Sequence, residues 1–266
     1  MIEYVMDRLV AAGHYNYWVA DAIEAFDSQT QETIAVALCK QLPERIVGEL
    51  GTANMSPEGR ILEFNEKPAR IEDIKFNMAN TGIYVFSSRI FNVLAGQTRW
   101  SDFGKHVFPG LVSDSQQSVY GFDVGDRYWN DVGTIEAFWR TNMDLIDGIK
   151  GIDTNSKNQR DHRTARIAGR VDHSIIEGAE IQKGAYVRDS VIAEGCVIEE
   201  GAQVEGSVIF SNTRIKKNAR VKKIIVDSDC EINPSDIGEF AVIGNGCTVA
   251  EGEHIVPNAR VSSAQA

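Results

Sequence analysis

The stretch IQKGAYVRDSVIAEGCVIEEGAQVEGSVI, residues 181–209, brings a branched aliphatic round every five or six positions. The same beat extends outward to residue 176 on one side and residue 261 on the other. Its members are Ile176, Ile181, Val187, Ile192, Ile198, Val204, Ile209, Ile215, Val221, Val226, Ile232, Ile237, Ile243, Val249, Ile255 and Val261. Two residues before most of them stands a small side chain, such as Ala185, Ser190, Cys196, Ala202 or Ser207; Ile224 and Glu253 are the exceptions. Gly or Asn often precedes the small residue, as at Gly178, Gly184, Gly195, Gly201, Asn218, Gly246 and Asn258.

A period near six matches neither a helix nor a plain strand. It matches a chain that makes a short strand, turns by about 120° and repeats, three sides making one coil of a triangular prism. The aliphatic points inward and stacks on its equivalents in neighbouring coils. The residue two before it also points inward near the corner and must be small. Gly or Asn at the corner tolerates positive φ. The sixteen anchors predict roughly five coils. The pattern resembles that of hexapeptide-repeat proteins, which implies a left-handed parallel β-helix.

The register places Cys196, Cys230 and Cys247 in the small inward slot, where a thiol behaves as a small hydrophobe. Cys39, within TIAVALCK, reads as part of a buried strand. No CxxC spacing occurs among the four cysteines, so neither a disulfide framework nor a zinc site is expected. Many hexapeptide proteins are acyltransferases that use a histidine beside an inserted loop. His173 and His254 are the candidates here, but the repeats run without a long insertion, which disfavours that activity.

Composition narrows the classes further. The 266 residues carry 27 Lys and Arg against 38 Asp and Glu, a net charge of −11. A dedicated nucleic-acid binder is therefore not expected. No apolar run is long enough for a membrane span. The start carries Glu3 and Asp7 and lacks the design of a secretory leader, so a cytoplasmic location is expected.

Upstream of the repeat the pattern alternates between strand and helix. Residues 1–13 have helical spacing ended by Gly13; 33–38, 60–64, 82–86 and 118–124 read as strands. A helix follows 82–86 with Ser87 or Ser88 as cap, 101–113 is helical with Pro109 as a breaker, and 134–147 is a helix capped by Thr134. This is an α/β domain over 1–147, a polar linker over 148–170, and the β-helix over 171–266.

Three spots in the α/β part invite chemistry. Glu66-Lys67-Pro68 follows a strand directly, and Pro68 should restrain Lys67 to an extended shape, fixing a positive charge for a phosphate. Asp131, within YWNDVGT, stands in a Gly-containing turn before a helix and could ligate Mg²⁺ or simply form an Asx turn. Asn80-Thr81-Gly82 offers a hydroxyl and an accessible backbone to a sugar, or is an ordinary strand start.

Taken jointly, FNEKP (64–68), MANTGIYVF (78–86), SDFGKHVFPGLV (101–112) and YWNDVGTIEAFWRTNMDLI (128–146), followed by a β-helix, resemble the sugar-nucleotide pyrophosphorylases, and among them most the bacterial glucose-1-phosphate adenylyltransferases. The resemblance implies an incomplete Rossmann-like nucleotidyltransferase domain. It implies transfer of a nucleotidyl group from a nucleoside triphosphate to a sugar 1-phosphate, with Mg²⁺ as cofactor, and homo- or hetero-oligomers formed through the β-helix. Carried over, Lys67 would bind the sugar phosphate and Glu66 the sugar hydroxyls. Thr81 stands where the family has Ser, with Gly82 following. Asp131 would be one metal ligand; WVADAI (18–23), taken as a strand end, would supply Asp21 as the other, although Ala20 replaces the family's glycine. The family's GGxGxRL loop is not matched, and residues 1–13 resemble the helix that follows it. The chain as written is therefore expected to be impaired in nucleotide binding and turnover. The alternatives are a regulatory or scaffolding homologue, or a transferase of other base or sugar specificity.

Overall fold

A computed structural model describes residues 14–42, 50–67, 77–149 and 165–263, with side chains from Ala20 onward in the first helix. The expected helix over 1–13 lies outside them. The chain divides into two compact units, residues 13–129 and residues 130–266 among them.

The first unit is a five-stranded mixed sheet with helices. Its elements are α1 (His14–Asp27), β1 (Thr33–Gln41), β2 (Gly51–Met55), β3 (Ile61–Glu66), β4 (Met78–Phe86), α2 (Ile90–Ala95), α3 (Phe108–Ser113) and β5 (Ser118–Asp123). The strand order is β3-β2-β4-β1-β5. Only β1 and β5 run parallel; the other pairs are antiparallel. Ile34, Ala35, Ala37 and Cys39 of β1 lie wholly buried beneath Phe64, Phe108 and Leu111.

Several local expectations need correction. Arg89, just before α2, occupies the N-cap position without a side-chain cap, and Ser87 Oγ accepts from Arg89 N at 3.3 Å instead. Residues 103–107 form one wide π-turn, capped by Asp102, that runs into α3. Pro109 does not break this helix but sits in its first turn, where an N–H would be unpaired anyway. β2, GTANM, was not anticipated; Thr52 is its one β-branched residue.

The second unit opens with α4 (Ile135–Asp147), capped as expected by Thr134, whose hydroxyl accepts from Ala137 N at 3.1 Å. Among the described residues eighteen short strands follow, β6 (Arg166–Ile167) through β23 (Arg260–Val261), all paired in parallel as the sides of a three-sided solenoid. One side stacks Ile181, Ile198, Ile215, Ile232 and Val249 in register, seventeen residues apart at each step. The anchors are almost all fully buried and form one continuous core. Among the described residues there are six coils, not five. The first begins at Ile167, inside the stretch taken as linker, and continues through Val171 to Ile176; Ile167 and Val171 stand too close together to show the period.

The corners obey the expected stereochemistry. Gly178, Gly184, Gly195, Gly201, Asn218, Gly246 and Asn258 all have φ between 54° and 80°. At Gly195 the absent Cβ matters twice, since it would lie 2.4 Å from Asn212 Oδ1 of the next coil. The four cysteines are free and buried. Burial pushes the thiols of Cys39 and Cys196 up to about 12, and that of Cys230 to about 11. Such thiols stay protonated and unreactive.

The small inward column also carries a hydroxyl ladder. Ser174 Oγ accepts from Ser190 N, Ser190 Oγ from Ser207 N, and Ser207 Oγ from Ile224 N, at 3.1, 3.1 and 3.2 Å. Ile224, an exception to the small-residue rule, is where the ladder stops. A third side is apolar on both faces: Val191, Val208, Ile225 and Val242 point away from the anchors yet are buried. The second unit's own helix lies against this region. Trp139 Nε1 of α4 donates to Gly206 O at 2.6 Å, Phe138 stacks on Phe210, and Trp139 meets Phe240 edge-on. By contrast, the fourth coil carries exposed Arg214, Lys217 and Lys222 and half-buried Lys216 and Lys223. Ion pairs tie these to Glu199 and Glu200 on one side and Glu239 on the other. No helix among the described residues is long and apolar enough to cross a membrane.

Ser190→Ala would leave the buried Ser207 N–H without its acceptor. Urea denaturation should show a loss of about 1–3 kcal/mol, with the coiled backbone retained.

Candidate functional site

Antiparallel pairing sets Glu66 opposite Gly51 and Asn80 opposite Cys39, while parallel pairing sets Cys39 opposite Asp123. These residues form one row across the sheet, running from Glu66 on the edge strand β3 to the carboxyl ends of β1 and β5; β3 itself runs antiparallel to those two. Open α/β sheets bind ligands outside the carboxyl ends of their parallel strands, here β1 and β5.

Glu66 and Lys67 stand at the tip of β3. Glu66 is half-buried. Burial raises its carboxyl above the usual range, with Asp102 adding to the rise, while Lys67 and Lys105 pull against it. Lys67 is exposed, but its backbone is not extended as Pro68 led us to expect: φ is +42°. The left-handed turn is held by Lys67 N donating to Leu50 O at 3.3 Å. A lysine in this region carries strain, a feature that concentrates at functional sites.

Residues missed in the sequence complete this edge. Asp102 Oδ1 accepts from Lys105 N at 2.8 Å, and this hydrogen bond keeps the Asp102 carboxyl below the ordinary carboxylate range. Phe103, partly exposed, lies against Tyr84 and Phe86. Tyr84 OH accepts from Asn80 Nδ2 at 2.7 Å, and burial raises the Tyr84 phenol. An Asp three residues before a Lys, in SDFGK, was the available sign of a capped turn.

Thr81 and Gly82 differ from expectation in one respect. Thr81 is buried and its hydroxyl donates to Leu38 O at 2.8 Å, so it braces β4 on β1 and does not face a ligand. Thr81 O in turn accepts from Trp129 Nε1 at 3.2 Å. Gly82 is exposed, with φ +80° and open space where a Cβ would stand, and its N–H donates to Asn80 Oδ1.

Asp21 is not at a strand end. It lies within α1, where Ala20, Ala22, Glu24 and Ala25 favour the helix and Ala22 buries itself against Leu38 and Val124. Its carboxylate pairs with Arg127. Arg127 belongs to a turn fastened to β1 by Lys40, whose ammonium donates to Gly125 O and Arg127 O at 2.7 and 2.6 Å. Beside it is a cleft of about 490 Å³ bounded by Lys40, Asn77, Asp123 and Asp126.

Asp131 belongs to the second unit. It is exposed, and its Oδ1 accepts from Gly133 N at 3.1 Å, an Asx turn that leads into Thr134 and α4. Among the described residues no group of three or more His, Cys, Asp or Glu side chains could hold a metal. Mg²⁺ seldom needs such a cage, since it binds through one or two carboxylates and substrate phosphates. Asp131 is an exposed carboxylate with one oxygen held in the Asx turn, whereas Asp21 is paired with Arg127.

Residues 7–148, more than half of the chain, match the family described as Nucleotidyl transferase, and the chain belongs to that family. Residues 157–245 match the GlmU-like, C-terminal hexapeptide family. The protein is thus a nucleotidyl transferase α/β domain followed by a parallel solenoid of hexapeptide repeats, a combination of the sugar-nucleotide transferases. Such a domain implies nucleotide and sugar-phosphate binding, and the solenoid is compatible with oligomer assembly.

Glu66 has a raised pKa, so its charge opposes folding above the ordinary carboxyl range and favours it nowhere in that window. Glu66→Gln should therefore raise the thermal midpoint at pH 7, and the gain should vanish as pH falls below about 4, where Glu66 is protonated in both states.

Proposed function

We propose that the protein serves a sugar-1-phosphate nucleotidyl transfer of the glucose-1-phosphate adenylyltransferase type, forming ADP-glucose and pyrophosphate from ATP and glucose 1-phosphate. The observation that supports this reading most is the Glu66-Lys67 pair, held at the tip of β3 by a left-handed lysine. In the reaction, a phosphate oxygen of the sugar 1-phosphate attacks the α-phosphorus of the triphosphate, and the bond to pyrophosphate breaks. Little covalent chemistry is asked of the protein; it positions and neutralises charge.

Lys67 would hold the sugar phosphate as a point charge, with Lys105 on the adjoining turn adding positive potential. Glu66 would accept from sugar hydroxyls. Asn80 and Tyr84, already hydrogen-bonded to each other, offer a further donor and acceptor nearby. The open backbone at Gly82 leaves room for a ligand to approach. Thr81 supports this surface through Leu38 without touching the sugar. Asp131 would ligate Mg²⁺, which when bound screens the phosphate charges.

Isothermal titration with glucose 1-phosphate tests the reading. The wild-type chain should bind saturably, and Lys67→Ala should weaken binding about tenfold or more, the scale of a lost charge-assisted contact, with the circular dichroism of the folded chain retained. No saturable binding of glucose 1-phosphate or another hexose 1-phosphate would overturn it. Binding without pyrophosphate release from ATP and Mg²⁺ would instead favour a non-catalytic regulatory homologue.

A further inference from the structure

Glu66 is seated in a slot whose walls are glycines from two other parts of the first unit. A Cβ built on Gly51 of β2 would lie 2.4 Å from Glu66 Oε2, and one built on Gly104 would lie 2.2 Å from the same oxygen. At Gly104 the carboxyl carbon would also be only 2.5 Å away, so the whole head group lies over that residue. Gly104 is buried in the π-turn Phe103–Val107. The turn is rigid for two reasons. Asp102 caps it through Lys105 N, and His106 N and Val107 N both donate to Asp102 O, at 3.0 and 3.2 Å. Phe108, directly after it, is fully buried, stacking on Phe64 at 5.2 Å and meeting Tyr84 at 4.7 Å.

A flexible glutamate at a strand tip has several rotamers of similar energy. Here the surroundings leave little freedom, because one oxygen is pressed between two backbones that carry no side chains. We propose that Gly104 is a positioning residue for Glu66: its missing side chain opens the slot that fixes the carboxylate at the sheet edge in the orientation that meets the sugar. The proposal rests on the sugar-phosphate reading of that edge. It gives the SDFGK segment a role in a site to which its glycine contributes no functional group.

Alanine at Gly104 suits the test, since Gly104 lies outside the left-handed region and the obstructed atoms are the mobile end of a side chain. The turn should therefore persist while the carboxylate swings away. Two measurements on the full chain read this out. In isothermal titration, Gly104→Ala should weaken glucose 1-phosphate binding about tenfold in the wild-type background and not at all in Glu66→Ala, the non-additivity of a shared interaction. In carbon-detected NMR, the Glu66 carboxyl should titrate above the ordinary range in the wild type and fall toward it in Gly104→Ala. An unshifted Glu66 titration in Gly104→Ala, or equal weakening with and without Glu66, would overturn the positioning role. A wild type that binds no sugar phosphate, but whose Glu66 titration responds to Gly104→Ala, would sink the sugar reading alone and leave the slot standing.

Discussion

The interior of the prism accommodates one branched aliphatic and one small residue per side, and each coil must bring them back above the last. Ile198 has to meet Ile181 below and Ile215 above. Everything else in the second unit follows from that stacking. The chain must turn sharply between sides, which demands positive φ at the corners. The corner slot mostly holds Ala, Ser, Thr or Cys, and where Ser190 and Ser207 occupy it the buried hydroxyl becomes a rung between coils. Stability in such a stack is nearest-neighbour and nearly one-dimensional. The hydroxyl ladder and the aliphatic columns therefore bind each coil to the next, with no tie to distant parts of the chain.

The first unit answers to a different constraint. Its mixed sheet brings residues distant in sequence to one edge, where the backbone does the positioning. Lys67 takes a left-handed turn anchored at Leu50 O, and Glu66 is held by the bare backbones of Gly51 and Gly104. Charge is kept half-desolvated there, which is unfavourable for folding and useful for recognition, because a partly buried carboxylate gains more from a ligand hydroxyl than an exposed one does. Thr81, buried under β1, shows the same division of labour: its hydroxyl braces the strand, and the neighbouring Gly82 faces outward.

The solenoid was legible in the sequence because repetition averages out local ambiguity. One Ile proves nothing, but Ile181, Ile198, Ile215 and Ile232 in step leave few alternatives. The opening side of the first coil escaped because Ile167 and Val171 are only four positions apart, too few to keep the beat. The doubled aliphatics Val191-Ile192, Val208-Ile209 and Ile225-Val226 were visible signs of a covered side that went unused. In the α/β unit, the strand around Phe64 was legible from alternation, and those around Val36 and Val85 from short apolar runs. Asp21 was misplaced because a short apolar segment, WVADAI, suits helix and strand alike. The slot around Glu66 was invisible because it is made of glycines, whose contribution is the space they leave. Pro68 suggested an extended Lys67, but that local preference yields to a tertiary anchor.

Self-similar coils carry a hazard of their own: a chain that mispairs by one whole coil still stacks aliphatic on aliphatic, and its core registers little objection. The cationic fourth coil breaks that symmetry. Its lysines and Arg214 find Glu199, Glu200 and Glu239 only in the native order of coils. A one-coil slip would move those cations away from their acidic neighbours while leaving the interior well filled. The surface charges thus act as an address label, telling each turn of the prism which turn it must lie upon.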